Sequence, residues 1–143
     1  RRSVVLVAAA ARRWQHDPRP RPPVGGDAPA AALPAFDGGV LVRAVGRNVE
    51  ALAGIRGAYL RRSRQDLQEI ELAIERADWA QAATVAHRWK SASHAVGAVA
   101  LAQWLQALER ACRDGGVRSS ELLLAVRDDA AAVERWLGDT PPT

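Results

Sequence analysis

Apolar residues recur every three or four positions along most of the chain from residue 36 onward, with polar residues between them. This spacing places apolar side chains on one side of an α-helix, whereas a half-buried strand would alternate every two residues. No proline occurs between Pro34 and Pro141, and β-branched residues are sparse, so little in this stretch interrupts helices. The pattern predicts an all-α domain.

Capping and turn residues divide this pattern into five helices, a short first one and four longer ones. The expected N-caps are Asp37, Asn48, Asp78 and Ser119 or Ser120, and the expected breaks are Gly46, Gly97 and Gly115-Gly116. The fourth helix is expected over about residues 98–113. Because short loops join the long helices, we expect an antiparallel four-helix bundle with the short N-terminal helix as a cap.

The first 34 residues differ in composition from the rest. Residues 17–34 contain six prolines and two glycines, which predicts a semi-extended linker. Residues 1–15 combine a basic start with a short apolar run, which superficially resembles a secretory signal, but Arg12 and Arg13 follow that run at once. We therefore expect residues 1–34 to be the tail of an upstream, receiver-like domain plus a linker, and residues 35–143 to be the helical bundle.

The net charge of +4 comes from an unusual set of basic residues, because Lys90 is the only lysine among twenty. Six arginines lie within the first 21 residues, so the basic excess belongs mainly to residues 1–34, here called the leader. The rest of the chain is close to neutral. A single cysteine, Cys112, excludes an internal disulfide and a cysteine-based zinc site. No apolar run is long enough to span a bilayer.

His87 is the candidate reactive residue. At about 100° per residue, the expected inward positions of the third helix lie roughly 140–180° from His87, which therefore points to solvent. Those inward positions are Val85, Trp89, Ala92 and Val96. Lys90 and Ser91 flank His87 on the next turn, and Arg88 adds a positive charge. A neutral, exposed imidazole beside a lysine suits a phosphoryl acceptor, although the periodicity alone favours an inert surface histidine.

Residues 86–98, read as Ala-His-Arg-Trp-Lys-Ser-Ala-Ser-His-Ala-Val-Gly-Ala, resemble the signature of histidine phosphotransfer (HPt) domains. The resemblance extends over about residues 36–137 and implies a four-helix bundle. It implies that His87 is the phosphorylated residue and that Lys90, with Arg88, offsets the charge of the phosphoryl group. It also suggests partner docking around Ser91, His94 and Gly97. Ser91 stands where many members have glycine, and Trp89 replaces their usual leucine or isoleucine.

The resemblance implies transfer of a phosphoryl group from a receiver-domain aspartate to His87 and then to the aspartate of a response regulator. No cofactor of its own is expected, since the partner receiver supplies Mg²⁺. Residues 1–34 suggest that the chain is the C-terminal, cytoplasmic part of an inner-membrane hybrid sensor kinase, and the arginine- and alanine-rich composition is typical of a bacterium with a GC-rich genome. We expect the isolated domain to be a monomer that contacts neither nucleic acid nor membrane. ATP-dependent activity is not expected, because a glycine-rich phosphate loop is missing.

Three alternatives stay open at this point. The first is a free-standing HPt protein rather than part of a kinase. The second is a non-catalytic helical bundle that serves only as an interaction module. The third is a nucleic-acid binder that uses the arginine-rich leader, although Trp14 is the only aromatic residue among those arginines.

Overall fold

The computed structural model of the chain describes residues 35–138, and the expectations for residues 1–34 and 139–143 concern residues outside that range. Within residues 35–138 all regular secondary structure is helical, as the apolar periodicity predicts. The helices are α1 (Gly39–Val45), α2 (Val49–Glu75), α3 (Trp79–Ala95), α4 (Val99–Arg113) and α5 (Ser119–Gly138). Their number and order match the five predicted helices.

Two long helices begin at the predicted capping residues. The side chain of Asn48 accepts a hydrogen bond from the backbone N–H of Ala51 at 3.0 Å, at the start of α2. The side chain of Asp78 accepts from the backbone N–H of Gln81 at 3.2 Å, at the start of α3. Each oxygen satisfies one of the backbone donors that a helix leaves free in its first turn. The predicted starts of α2 and α3 are therefore confirmed.

Gly97 ends α3 against the segment that leads into α1. Its φ of +84° lies in the left-handed region, and a Cβ atom built on it would lie 2.0 Å from the carbonyl oxygen of Asp37. The backbone N–H of Asp37 donates to the carbonyl oxygen of Gly97 at 2.7 Å. The side chain of Asp37 accepts from the N–H of Gly39, although the N-cap position of α1 is Gly38. Only glycine allows this close approach, so the tight turn predicted at Gly97 is confirmed.

The four long helices contact one another in a ring, α2 with α3, α3 with α4, α4 with α5 and α5 with α2, and α1 contacts α2. Cross-helix pairs give the relative directions of two of these contacts. The pairs are Tyr59–Ser93 and Asp66–Arg88 between α2 and α3, and Arg64–Glu134 and Glu71–Arg127 between α2 and α5. In both cases later residues of α2 meet earlier residues of the partner helix. Thus α2 runs antiparallel to α3 and to α5.

Two tryptophans fill the core between these helices. Trp89 of α3 is fully buried, and so is nearly all of Trp136 of α5. The ring of Phe36 stacks on Trp136 with centroids 4.6 Å apart. This contact attaches the segment before α1 to α5. Val85 and Val96 are buried on the same side of α3 as Trp89, as the helical periodicity predicts. The opposite side of α3 is thereby left facing solvent.

Candidate functional site

His87 lies on the solvent side of α3. Its side chain is 60% exposed, whereas Val85 and Trp89, on the other side of the same helix, have no accessible surface. The rigid packing of α3 on the core holds the backbone of His87 in place while its imidazole stays accessible. The sequence prediction that His87 points away from the core is confirmed.

A carboxylate from the neighbouring helix α4 holds one edge of the His87 ring. Glu109 Oε2 lies 3.2 Å and Oε1 3.3 Å from His87 Nδ1. The ammonium of Lys90 donates to Glu109 Oε1 at 3.0 Å. The guanidinium of Arg113 donates to Oε2 through Nε at 3.2 Å and through Nη2 at 3.0 Å. One carboxylate therefore connects the imidazole to two cations.

The surroundings of Glu109 keep its carboxylate ionised. The Glu109 side chain is only 11% exposed. Its burial raises the pKa of Glu109, but hydrogen bonds from Lys90 and Arg113 outweigh this effect, so that the pKa lies below its usual value. An ionised carboxylate only accepts hydrogen bonds, and it therefore selects the His87 tautomer that carries its proton on Nδ1.

The other ring nitrogen of His87 has a different environment. Within residues 35–138, both hydrogen bonds of the His87 ring involve Nδ1. With the proton on Nδ1, the lone pair of Nε2 is available for a reaction. The arrangement supplies a fixed ring, a nucleophilic nitrogen on its free edge and an ammonium group nearby.

Lys90, Ser91 and His94 lie on the same side of α3 as His87. The Lys90 side chain is 19% exposed, and its ammonium lies on Glu109. Ser91 is exposed, and its hydroxyl donates to the backbone carbonyl oxygen of His87 at 3.2 Å. His94 is exposed two turns after His87. Four of the residues singled out in the sequence, His87 included, therefore share one face.

Arg88 does not join this face, and the prediction that it assists His87 is wrong in its geometry. Its guanidinium turns to α2 and donates to Asp66 Oδ1 at 2.7 Å and to Glu69 Oε2 at 3.0 Å. The hydrogen bond that Arg88 donates to Asp66 raises the pKa of Arg88 above its usual value. Consecutive helical residues are about 100° apart, which directs Arg88 away from the His87 ring and towards α2.

Gly97 also differs from its predicted role in partner docking. The residue is buried, and its backbone is in contact with that of Asp37. A buried glycine offers little surface for contact with another protein. Gly97 instead forms the turn between α3 and α4.

The sequence reasoning did not assign roles to Glu109 and Arg113. Glu109 is the only acidic residue of α4, at the edge of its apolar side formed by Leu105, Leu108 and Cys112. The only feature of the sequence that could have indicated a role for Glu109 was a single acidic residue beside the apolar side of α4. Within residues 35–138, no group of three or more histidine, cysteine or acidic side chains is arranged to hold a metal ion.

The fold and the site together define a small all-α domain that presents one histidine beside a carboxylate and a lysine. Residues 54–136, more than half of the 143-residue chain, match the family described as the Hpt domain. The chain belongs to this family. No curated protein and no solved structure matches the chain.

Membership of the Hpt family defines the general activity, which is histidine phosphotransfer in two-component phosphorelays. The partners of such a domain are receiver domains and response regulators. Among the helices of residues 35–138, none has the length and apolar character needed to cross a membrane.

Proposed function

We propose that His87 accepts a phosphoryl group from the aspartate of a receiver domain and passes it to the aspartate of a response regulator. One observation carries this proposal: the exposed imidazole has its Nδ1 on the ionised carboxylate of Glu109, which leaves the Nε2 lone pair free. His94, on the same face, makes no hydrogen bond to a carboxylate within residues 35–138. The two exposed histidines of α3 are therefore chemically different.

In the forward step, the Nε2 lone pair of His87 forms a bond to phosphorus. The bond between phosphorus and the aspartyl oxygen breaks, and its electron pair leaves with the aspartate carboxylate. The ring keeps its proton on Nδ1 and gains positive charge, which the Glu109 carboxylate offsets at about 3.2 Å. Transfer to the response regulator reverses these bond changes, with its aspartate oxygen as the nucleophile.

Lys90 supplies positive charge for the transferred group. Its ammonium lies on Glu109, which also contacts the His87 ring, so it is held next to the imidazole before a partner arrives. Phosphoryl transfer depends mainly on positioning and on neutralising negative charge. The receiver supplies Mg²⁺ in this proposal, and no cofactor is assigned to the chain itself.

The partner docks on the exposed side of α3 around His87, Ser91 and His94. This face is continuous over two turns of the helix, and between the two histidines it carries the short side chain of Ser91 and Lys90, whose ammonium is held on Glu109. A receiver can therefore bring its aspartate and its bound metal close to Nε2. The sequence expectation for Ser91 and His94 is kept as part of the proposal.

The architecture that we infer is an antiparallel four-helix bundle of α2 to α5 with α1 as a cap. It is supported by the ring of helix contacts and by the opposed directions of α2 relative to α3 and α5. We further propose that residues 35–143 form this domain within a cytoplasmic, bacterial hybrid sensor kinase and that the isolated domain is monomeric. The proline-rich composition of residues 17–34 supports such a linked arrangement.

The test is phosphoryl transfer from a panel of prephosphorylated receiver domains to the full chain, with site mapping at neutral to alkaline pH. The expected result is an acid-labile label on His87 from at least one receiver, kept in His94→Gln and lost in His87→Gln. A folded wild-type chain that takes no label from any receiver would contradict the proposal and favour an interaction module. Binding of duplex DNA by the full chain that is lost in a variant without residues 1–34 would favour a nucleic-acid binder that uses the arginine-rich leader.

A further inference from the structure

Besides Lys90, Glu109 binds a second cation, Arg113, to which the proposed phosphotransfer mechanism assigns no role. Arg113, one turn later on α4, donates two hydrogen bonds to Glu109 Oε2, whereas Lys90 donates to Oε1. The two cations thus occupy different oxygens, and His87 Nδ1 lies close to both. Arg113 itself is 59% exposed.

An ordinary ion pair between residues four apart on a helix surface contributes little to stability. The Glu109–Arg113 pair departs from that situation because its carboxylate is mostly buried and also holds the reactive ring. Arg113 approaches from α4, the helix of Glu109, while Lys90 approaches from α3, the helix of His87. The two cations can therefore move independently.

Phosphorylation of His87 makes this independence important. A phosphoryl group on Nε2 brings about two negative charges to the solvent side of the ring, and the Lys90 ammonium is attracted to them. When Lys90 moves to the phosphoryl oxygens, Glu109 Oε1 loses the hydrogen bond from the ammonium and keeps only its contact with His87 Nδ1. Glu109 must nevertheless stay against Nδ1, where the ring proton and the positive charge of the phosphorylated ring lie.

We propose that Arg113 is a positioning residue that holds Glu109 against His87 Nδ1 while Lys90 changes partner from Glu109 to the phosphoryl group. This inference rests on the proposed phosphorylation of His87. In the unphosphorylated chain Lys90 and Arg113 share the task. In the phosphorylated chain Arg113 performs it alone.

The test is proton NMR of the full chain at neutral pH, with the hydrogen-bonded Nδ1–H resonance of His87 as the signal. Spectra are recorded before and after phosphorylation by phosphoramidate, a small-molecule donor that makes the result independent of the receiver. Arg113→Ala is compared with Arg110→Ala, which removes the same charge from an exposed position of α4. The phosphoryl transfer rate from a receiver is measured in parallel, with Arg113→Lys as a conservative variant.

We expect the wild type and Arg110→Ala to show the Nδ1–H resonance in both states. Arg113→Ala should show it only before phosphorylation, and its transfer rate should fall by about threefold or more. Arg113→Lys should recover part of both losses, because it restores a charge but not the two-pronged contact.

Two results would overturn the inference while leaving the proposed function intact. The first is persistence of the resonance in phosphorylated Arg113→Ala. The second is loss of the resonance already in unphosphorylated Arg113→Ala. That result would mean that Arg113 is needed to form the site even when Lys90 is bound to Glu109. A wild-type chain that is not phosphorylated on His87 would instead overturn the proposed function, and this inference with it.

Discussion

Two carboxylates flank α3, Glu109 from α4 and Asp66 from α2, and each binds cations from α3 and from its own helix. Glu109 binds Lys90 and Arg113, and Asp66 binds Arg88 and Arg62. Both carboxylates are largely buried, with side-chain exposures of 11% for Glu109 and 1% for Asp66. The difference between the clusters is that Glu109 also holds the exposed ring of His87.

In the proposed mechanism, this difference separates an ion cluster that takes part in phosphoryl transfer from one that stabilises helix packing. Around Asp66 the cations are the guanidiniums of Arg62 and Arg88, which are not nucleophiles, and the Asp66 carboxylate itself is only 1% exposed. Beside Glu109, the imidazole of His87 has its Nδ1 on the carboxylate, while its Nε2 makes no hydrogen bond within residues 35–138. Charge and burial alone therefore do not identify the site, whereas an accessible nucleophile does.

The largest expected effect follows from removing that nucleophile. His87→Gln should abolish labelling by a phosphorylated receiver, since no other described group has the same combination of exposure and a carboxylate on Nδ1. Because the side chain is exposed, the helical circular dichroism and the melting temperature should stay close to wild type. Transfer assays and thermal melts check this prediction, and unfolding of the variant would show that the assigned helix face is wrong.

Lys90→Ala should slow transfer by about tenfold to a hundredfold without abolishing it, because one charge-neutralising donor is removed and the nucleophile remains. The measurement is the single-turnover rate of transfer from a receiver. Arg110→Ala is the matched control, with the same loss of charge on an exposed part of α4. An equal loss of rate in both variants would mean that Lys90 acts only through the overall charge.

On the other side of α3, Asp66→Asn should lower the free energy of unfolding by about 2 kcal/mol, because Arg88 and Arg62 lose a buried charged partner. The rate of transfer to His87 should remain unchanged in the folded variant. Urea denaturation combined with transfer assays separates the two effects. Glu69→Gln, at the more exposed end of the same cluster, should destabilise by less than about 1 kcal/mol. A large loss of the transfer rate in Asp66→Asn would contradict the proposal that the Asp66 cluster serves stability and the Glu109 cluster serves transfer.

How far sequence reasoning reached depends on whether a feature lies within one helix or between two. The starts at Asn48 and Asp78, the turn at Gly97 and the exposure of His87 are local features, fixed by capping chemistry and helical periodicity, and they were predicted. Arg88 was misplaced because adjacency in sequence was given more weight than the 100° rotation between consecutive helical residues.

The role of Glu109 is a different kind of omission. It lies 22 residues from His87 on another helix, and its contact depends on how α3 and α4 are rotated against each other. The apolar periodicity of a single helix does not determine how two helices are rotated against each other. The solitary acid beside the apolar side of α4 marks an unusual position, but only the packed structure brings it to the histidine.

The smallest expected effect is a pH dependence of stability that comes from Glu109. Its pKa in the folded chain lies below the usual value of 4.5, so its contribution to stability is complete above that value. The contribution is lost as the pH falls through the folded pKa, because protonation removes the pairing with Lys90 and Arg113. Glu109→Gln should therefore be less stable than wild type at about pH 6, and the difference should shrink towards about pH 3. Chemical denaturation at several pH values measures it, and a difference that grows on acidification would contradict the assigned direction of the pKa.

The most direct test of the central claim is NMR of the phosphorylated chain with ¹⁵N-labelled histidine, which identifies the nitrogen bonded to phosphorus. The geometry predicts a single phosphohistidine, at His87, with phosphorus on Nε2 and the proton on Nδ1. Phosphorus on Nδ1 of His87, or on His94, would contradict the role assigned to Glu109 and with it the proposed site.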